Sequence, residues 1–128
     1  MIHIIVPVHN RLELSKKCLQ SLDAQIHVDW CVYFVDDGSS DGTYEWLQGM
    51  DRGNVVHIIG DGSLWWTGSM KIGVEFIMKF CNKDDYIMSL NNDLVFKEDD
   101  SLLVLYNSVS SKQKTICGSI SVSDTGSE

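Results

Sequence analysis

The chain reads as an α/β domain, a Rossmann-like and mostly parallel sheet with helices on both faces. Three observations predict it. Short, near-continuous apolar runs alternate with longer stretches of helical period, and that alternation builds right-handed crossovers around a parallel sheet. Polar clusters follow the apolar runs at residues 7–10, 36–42, 60–62 and 91–93, at the carboxyl ends of the strands, where such sheets bind ligands. Finally, 128 residues with 44% apolar side chains suffice for one domain with its own core.

Ile2–Val8 opens the chain as a strand buried on both faces, because its apolar run is rich in β-branched residues and nearly unbroken. Asn10 is placed to cap a helix over 11–24, where Leu14, Cys18 and Leu22 recur every four residues and Leu12 and Leu19 flank them. Residues 31–35 form a second buried strand. The turn cluster Asp36-Asp37-Gly38-Ser39-Ser40-Asp41-Gly42 follows, with Asp41 or Ser40 as cap of a short helix over 44–50. Val55–Ile59 is a third strand. After a loop over 60–66, a helix over 68–81 carries Met70, Ile72, Val74, Phe76, Ile77, Met78 and Phe80 on more than one face, which predicts that it is mostly buried. Residues 86–90 make a fourth strand, closed by Asn91-Asn92-Asp93, and Leu102, Leu105, Tyr106 and Val109 set a last helix over 101–109. The core is expected to span 1–118, with 119–128 a serine-rich, acidic tail.

Composition narrows the function. Eighteen acidic and ten basic side chains leave a net charge of −8, and Arg11 and Arg52 are the only arginines. Nucleic acid is thereby disfavoured, since phosphate backbones are held by clustered lysine and arginine. No apolar run approaches the length of a membrane span, and the start of the chain lacks the basic region of a signal peptide. Cys18, Cys31, Cys81 and Cys117 are too widely spaced for a ligand pair and sit among apolar neighbours, so they read as reduced core residues of a cytosolic protein. His3, His27 and His57 are isolated and read as structural.

Two polar clusters can carry chemistry. Asp36 and Asp37 close a buried strand, and adjacent carboxylates repel unless donors or a cation compensate. Either one caps the next helix and the other faces water, or the pair recognises a base imide or ribose hydroxyls, with Gly38 letting backbone approach the ligand. Asn91-Asn92-Asp93 is either a solvated turn or a set of hard oxygen donors for Mg²⁺ or Mn²⁺. A divalent cation would also let a protein of charge −8 hold an anionic diphosphate. The adjacent Trp65 and Trp66 can stack on a base or sugar face or fill the core, and one of each is expected.

Ile5-Val6-Pro7-Val8-His9-Asn10-Arg11, then Phe34-Val35-Asp36-Asp37-Gly38-Ser39-Ser40-Asp41-Gly42-Thr43, then Leu90-Asn91-Asn92-Asp93-Leu94 resemble, in this order and spacing, successive blocks of the family 2 glycosyltransferases with the GT-A fold. The resemblance runs from Met1 to about Gly118. It implies a transferase that moves a sugar from a nucleotide-diphosphate donor to a saccharide or lipid-linked acceptor, inverting and metal-dependent, in cell-surface polysaccharide synthesis. It further implies that Pro7 and His9 wall the base site, that Asp36 and Asp37 contact base and ribose, and that Asn92 and Asp93 belong to a DxD-type motif with Asp93 the metal ligand. The segment Gly60-Asp61-Gly62-Ser63-Leu64-Trp65-Trp66-Thr67-Gly68 fits the loop beside the donor, and its Trp-Trp-Thr-Gly element is similar to that of rhamnosyltransferase-like members.

Three positions depart from the family pattern. His9 stands where tyrosine is frequent, Asn91 and Asn92 replace acidic residues, and Lys71 stands where asparagine is frequent and reads as a solvated helix lysine. In the family the general base lies well beyond the DxD-type motif, and only 35 residues follow Asp93. The chain is therefore expected to be the donor-binding part of a GT-A enzyme, incomplete and inactive alone, cut before the acceptor-binding part. Relatives often work at the inner face of a membrane. The second reading is a non-catalytic nucleotide-binding or interaction module of the same fold. A receiver-type signalling domain fits poorly, because its acidic pair would follow the first strand, which here ends in Pro7-Val8-His9.

Overall fold

The computed structural model describes residues 1–112; Cys117 and the expected boundary between core and tail lie outside them. The elements are β1 (Ile2–Val8), α1 (Leu12–Asp23), β2 (Trp30–Asp36), α2 (Thr43–Gln48), β3 (Val55–Ile59), α3 (Trp65–Ile77), β4 (Tyr86–Ser89) and α4 (Ser101–Ser110). The four strands pair in parallel in the order β3-β2-β1-β4. The chain moves outward from β1 through β2 to β3, then crosses back to place β4 on the other side of β1. That reversal at β1 is the switch point where open α/β sheets form their ligand crevice.

Strand alternation divides the core into two layers. Ile4, Val6, Val32 and Phe34 point to one face, where Cys18, Leu19 and Leu22 of α1, Leu47 of α2 and Leu102 of α4 cover them. Ile5, Tyr33 and Val35 point to the other, where α3 brings Ile77, Met70 and Val74. Helices therefore lie on both faces, as the alternating pattern predicts. Pro7 fits inside β1 because odd-numbered residues turn their backbone toward β4: Tyr86 N–H donates to Met1 O at 3.1 Å and Leu90 N–H to Ile5 O at 3.0 Å. The β4 ladder ends at Ile5, so the missing N–H of Pro7 costs no bond there.

Four expectations are corrected. Asn10 does not cap α1: Asn10 and Arg11 both take left-handed backbone, φ 60° and 62°, which swings the Asn10 side chain away. Its Oδ1 accepts Ser40 N–H at 2.7 Å, and the cap of α1 is Asp41, whose Oδ2 accepts Leu12 N–H at 2.9 Å. The third helix begins at Trp65 and ends at Ile77, earlier at both ends than the 68–81 expected. It is also not mostly buried. It is the single helix on its face among the described residues, so a narrow stripe of Ser69, Gly73 and Ile77 enters the core while Phe76, Met78 and Phe80, the last two just beyond its end, remain exposed. Cys18 and Cys31 are buried, whereas Cys81 is half-buried.

Candidate functional site

A cleft of about 300 Å³ opens over the carboxyl ends of β1 and β2, against the first turn of α3. Each wall follows from a local feature of the sequence. Pro7, Val8 and His9 continue β1 into the first wall. His9 Nδ1 lies 2.8 Å from Asp37 O. Because a carbonyl only accepts, Nδ1 carries the proton, and Nε2 of the neutral ring is left as an acceptor.

The adjacent carboxylates diverge. Asp37, 7% exposed, takes Gly62 N–H on Oδ1 at 2.7 Å, and Leu64 and Trp65 N–H on Oδ2 at 3.0 Å each. Three amides thus satisfy a buried charge, and they fold the 60–65 segment onto the end of β2. This loop tolerates little besides glycine at two places: a Cβ on Gly60 would lie 2.8 Å from Asp37 Oδ1, and Gly38, at φ 80°, would meet Gly62 Cα at 3.2 Å. Asp36, 2% exposed, turns to the α1/α2 face, where Oδ1 accepts Ser39 N–H at 3.1 Å and closes the turn. The repulsion expected of the pair is relieved by separation and by backbone donors.

Trp65 and Trp66 form the second wall, with Ser69 one turn further along α3. Neither indole fills the core: Trp65 is 81% and Trp66 54% exposed, which corrects the expectation of one each. Trp65 sits at φ 55°, a left-handed backbone unfavourable by about 1–2 kcal/mol for a non-glycine residue, held there by the N–H bond to Asp37.

The third motif lies beside this cleft, off its wall. Asn92 is buried and donates from Nδ2 to Ser15 Oγ of α1 at 3.0 Å, so its amide anchors the strand end. Asp93 is 47% exposed, and Arg11 Nη1 stands 3.8 Å from its Oδ2. Among the described residues no group of three or more His, Cys, Asp or Glu side chains is arranged to hold a metal ion. A single exposed carboxylate fits a cation that completes its shell with water and diphosphate oxygens, and does not fit a metal centre built by the protein alone. Lys71 is exposed and 3.9 Å from Glu75, a solvated helix pair as expected.

The structure thus gathers Pro7, His9, Asp37, Trp65 and Trp66 around one cleft and leaves Asp36 at the end of β2 and Gly38, Asn92 and Asp93 in loops beside it. Val8, Gly62 and Ser69 also line it. Ser69 was legible only through helical spacing from Trp65 and Trp66, and a helix begun at residue 68 hides that spacing.

No helix among the described residues is long and apolar enough to cross a membrane. No curated protein matches the chain. The sequence profile of Glycosyl transferase family 2 matches residues 3–128, which take in the three motifs and every residue that lines the cleft. The chain belongs to glycosyltransferase family 2, enzymes that carry a sugar from a nucleotide-sugar donor to an acceptor.

Proposed function

We propose that the cleft holds the nucleotide of the sugar donor. The observation that carries this reading is the junction of the segments after β1, β2 and β3: Asp37 clamps the 60–65 segment so that Pro7 and His9 face two exposed indoles across a space of about 300 Å³. Indole faces stack on a base or a sugar ring, and His9 Nε2 offers an acceptor. The diphosphate would extend toward Asp93 and Arg11, the carboxylate and guanidinium at the neighbouring strand end.

Family members commonly use divalent metals. In this chain Asp93 would hold a Mg²⁺ or Mn²⁺ shared with the diphosphate, and that cation would offset the charge developing on the leaving phosphate. The chain's own residues bind and orient. Asp37 sets the loop, the tryptophans exclude water from one side of the nucleotide, and Arg11 competes with or supplements the cation at Asp93. With the donor so held, an acceptor hydroxyl would attack the anomeric carbon with inversion as the bond to the diphosphate breaks, the hydroxyl proton passing to a general base supplied by the acceptor-binding part. The sugar class proposed is a hexose or deoxyhexose, and a role in cell-surface polysaccharide synthesis follows from the family resemblance.

Isothermal calorimetry with UDP, dTDP and GDP, with and without Mn²⁺, tests the reading. One nucleotide should bind, more tightly with Mn²⁺, and Asp93→Ala should abolish the metal effect while leaving metal-free binding in place. Absence of binding by all three nucleotides overturns the donor site. Equal Mn²⁺ dependence in the Asp93→Ala variant overturns the metal assignment alone.

A further inference from the structure

His57 lies on β3, beside the donor loop, and belongs to none of the three motifs. Only 8% of its side chain is exposed. Nδ1 is 3.1 Å from Gln48 Nε2, and the ring meets Tyr44 edge-on with centroids 5.3 Å apart. Nε2 differs: it is buried without any hydrogen-bond partner, and the nearest ionic group is Asp36 Oδ2 at 3.6 Å. A buried polar nitrogen left unpaired beside a carboxylate calls for a reason.

The tautomer follows from Gln48. When its amide N–H donates to Nδ1, the neutral ring carries its proton on Nε2, facing Asp36; when the amide turns over, its oxygen accepts from Nδ1–H of the imidazolium, which presents the same Nε2–H. In both forms His57 offers Asp36 a donor just beyond bonding distance. Asp36 is the residue whose other oxygen closes the turn at Ser39.

We propose that His57 is a positioning residue for the donor loop, whose Nε2–H closes onto Asp36 as nucleotide enters the cleft and fixes the turn that carries Gly38 and Ser39. The proposal rests on the donor-site reading above. The groups facing the ring are Asp36 from β2, and Tyr44 and the neutral Gln48 from α2. A hydrogen bond from Nε2–H to the Asp36 carboxylate is charge-assisted and therefore stronger than one between neutral groups.

Calorimetry with UDP-glucose, dTDP-glucose and GDP-mannose tests this. With whichever probe binds the wild-type chain, His57→Phe should weaken binding about tenfold, the size of one charge-assisted hydrogen bond. His57→Gln, which keeps a donor near Nε2, should retain most of the affinity. In an Asp36→Asn background, His57→Phe should change little further. Equal losses in the Phe and Gln variants, or additive effects with Asp36→Asn, would overturn the proposal. If His57→Phe does not fold, Asp36→Asn with His57 intact decides, and unchanged affinity there overturns it. Failure of the wild-type chain to bind any probe overturns the donor site and this proposal with it; binding that ignores His57 overturns only this one.

Discussion

Asp37 shows how one side chain can build the wall of a cleft by organising backbone. Its carboxylate is nearly inaccessible and accepts three N–H groups, from Gly62, Leu64 and Trp65. Those bonds bring Trp65 and Trp66 to the cleft and hold Trp65 in its left-handed conformation. Asp37→Asn puts an amide NH₂ among backbone donors, leaving at least one of them unpaired. We expect a loss of about 1–3 kcal/mol, the range for a buried polar group deprived of its partner, read from urea denaturation. Nucleotide affinity should fall with it, because the indole wall is no longer pinned. That Asp37 lies at the cleft was legible, but its contacts were not: a motif marks a carboxylate without saying whether it faces the cleft or the loop.

The strands were the legible elements, since an unbroken run such as Ile2–Val8 has few alternatives to a doubly covered strand. Helix starts were not, and the reason is physical. Three of the four helices donate an N-terminal N–H to a side chain far away in sequence: α1 to Asp41, α3 to Asp37, and α4 to Gln25, whose Oε1 accepts Leu102 N–H at 2.9 Å. Local rules of capping look at the residue just before the helix, and they point to Asn10, whose side chain is used elsewhere. The exposure of α3 was hidden for a related reason, because the number of helices sharing a sheet face is a tertiary property. Its contact with the sheet is correspondingly close at Gly73, where an added Cβ would lie 2.8 Å from Ile5 Cγ2 and 3.0 Å from Cδ1. Ile5 is fully buried in a central strand. Gly73→Ala gains about 1 kcal/mol of helix propensity and loses about 1–3 kcal/mol to overpacking. The balance predicts a lower melting temperature, by scanning calorimetry.

At the scale of the molecule the two edges of the sheet differ in kind. The carboxyl edge carries loops and the cleft. At the amino edge, His3 links Tyr33 Oη at 2.8 Å to Asp85 Oδ2 at 3.0 Å, and the N-terminal amine lies 3.3 Å from Asp85 Oδ1. The hydrogen bond from His3, then that from Asn82 N–H, hold the Asp85 carboxyl down at about 2. Its ordinary value is about 3.9. A depressed carboxyl stabilises the fold fully above the ordinary value, and the contribution fades as pH drops through the range from about 4 to 2. Urea midpoints measured from pH 5 to pH 2 should therefore fall steeply in the wild-type chain and less steeply in Asp85→Asn.

Placing the α/β topology and the loop-bearing edge with the cleft from sequence worked because both follow from the order of apolar runs and polar ends. What lies between the loops did not follow, and Asp41 shows what that adds. Its Oδ2 takes the first N–H of α1 while its Oδ1 takes the N–H and hydroxyl of Thr43 in α2, a set of bonds led by the Thr43 hydroxyl that lowers the pKa of its carboxyl. The amino ends of two helices on the same sheet face thus hang from a single hinge pin. They must fray or stay closed as a pair, and whatever steadies the loop around Asp41 steadies both helices together.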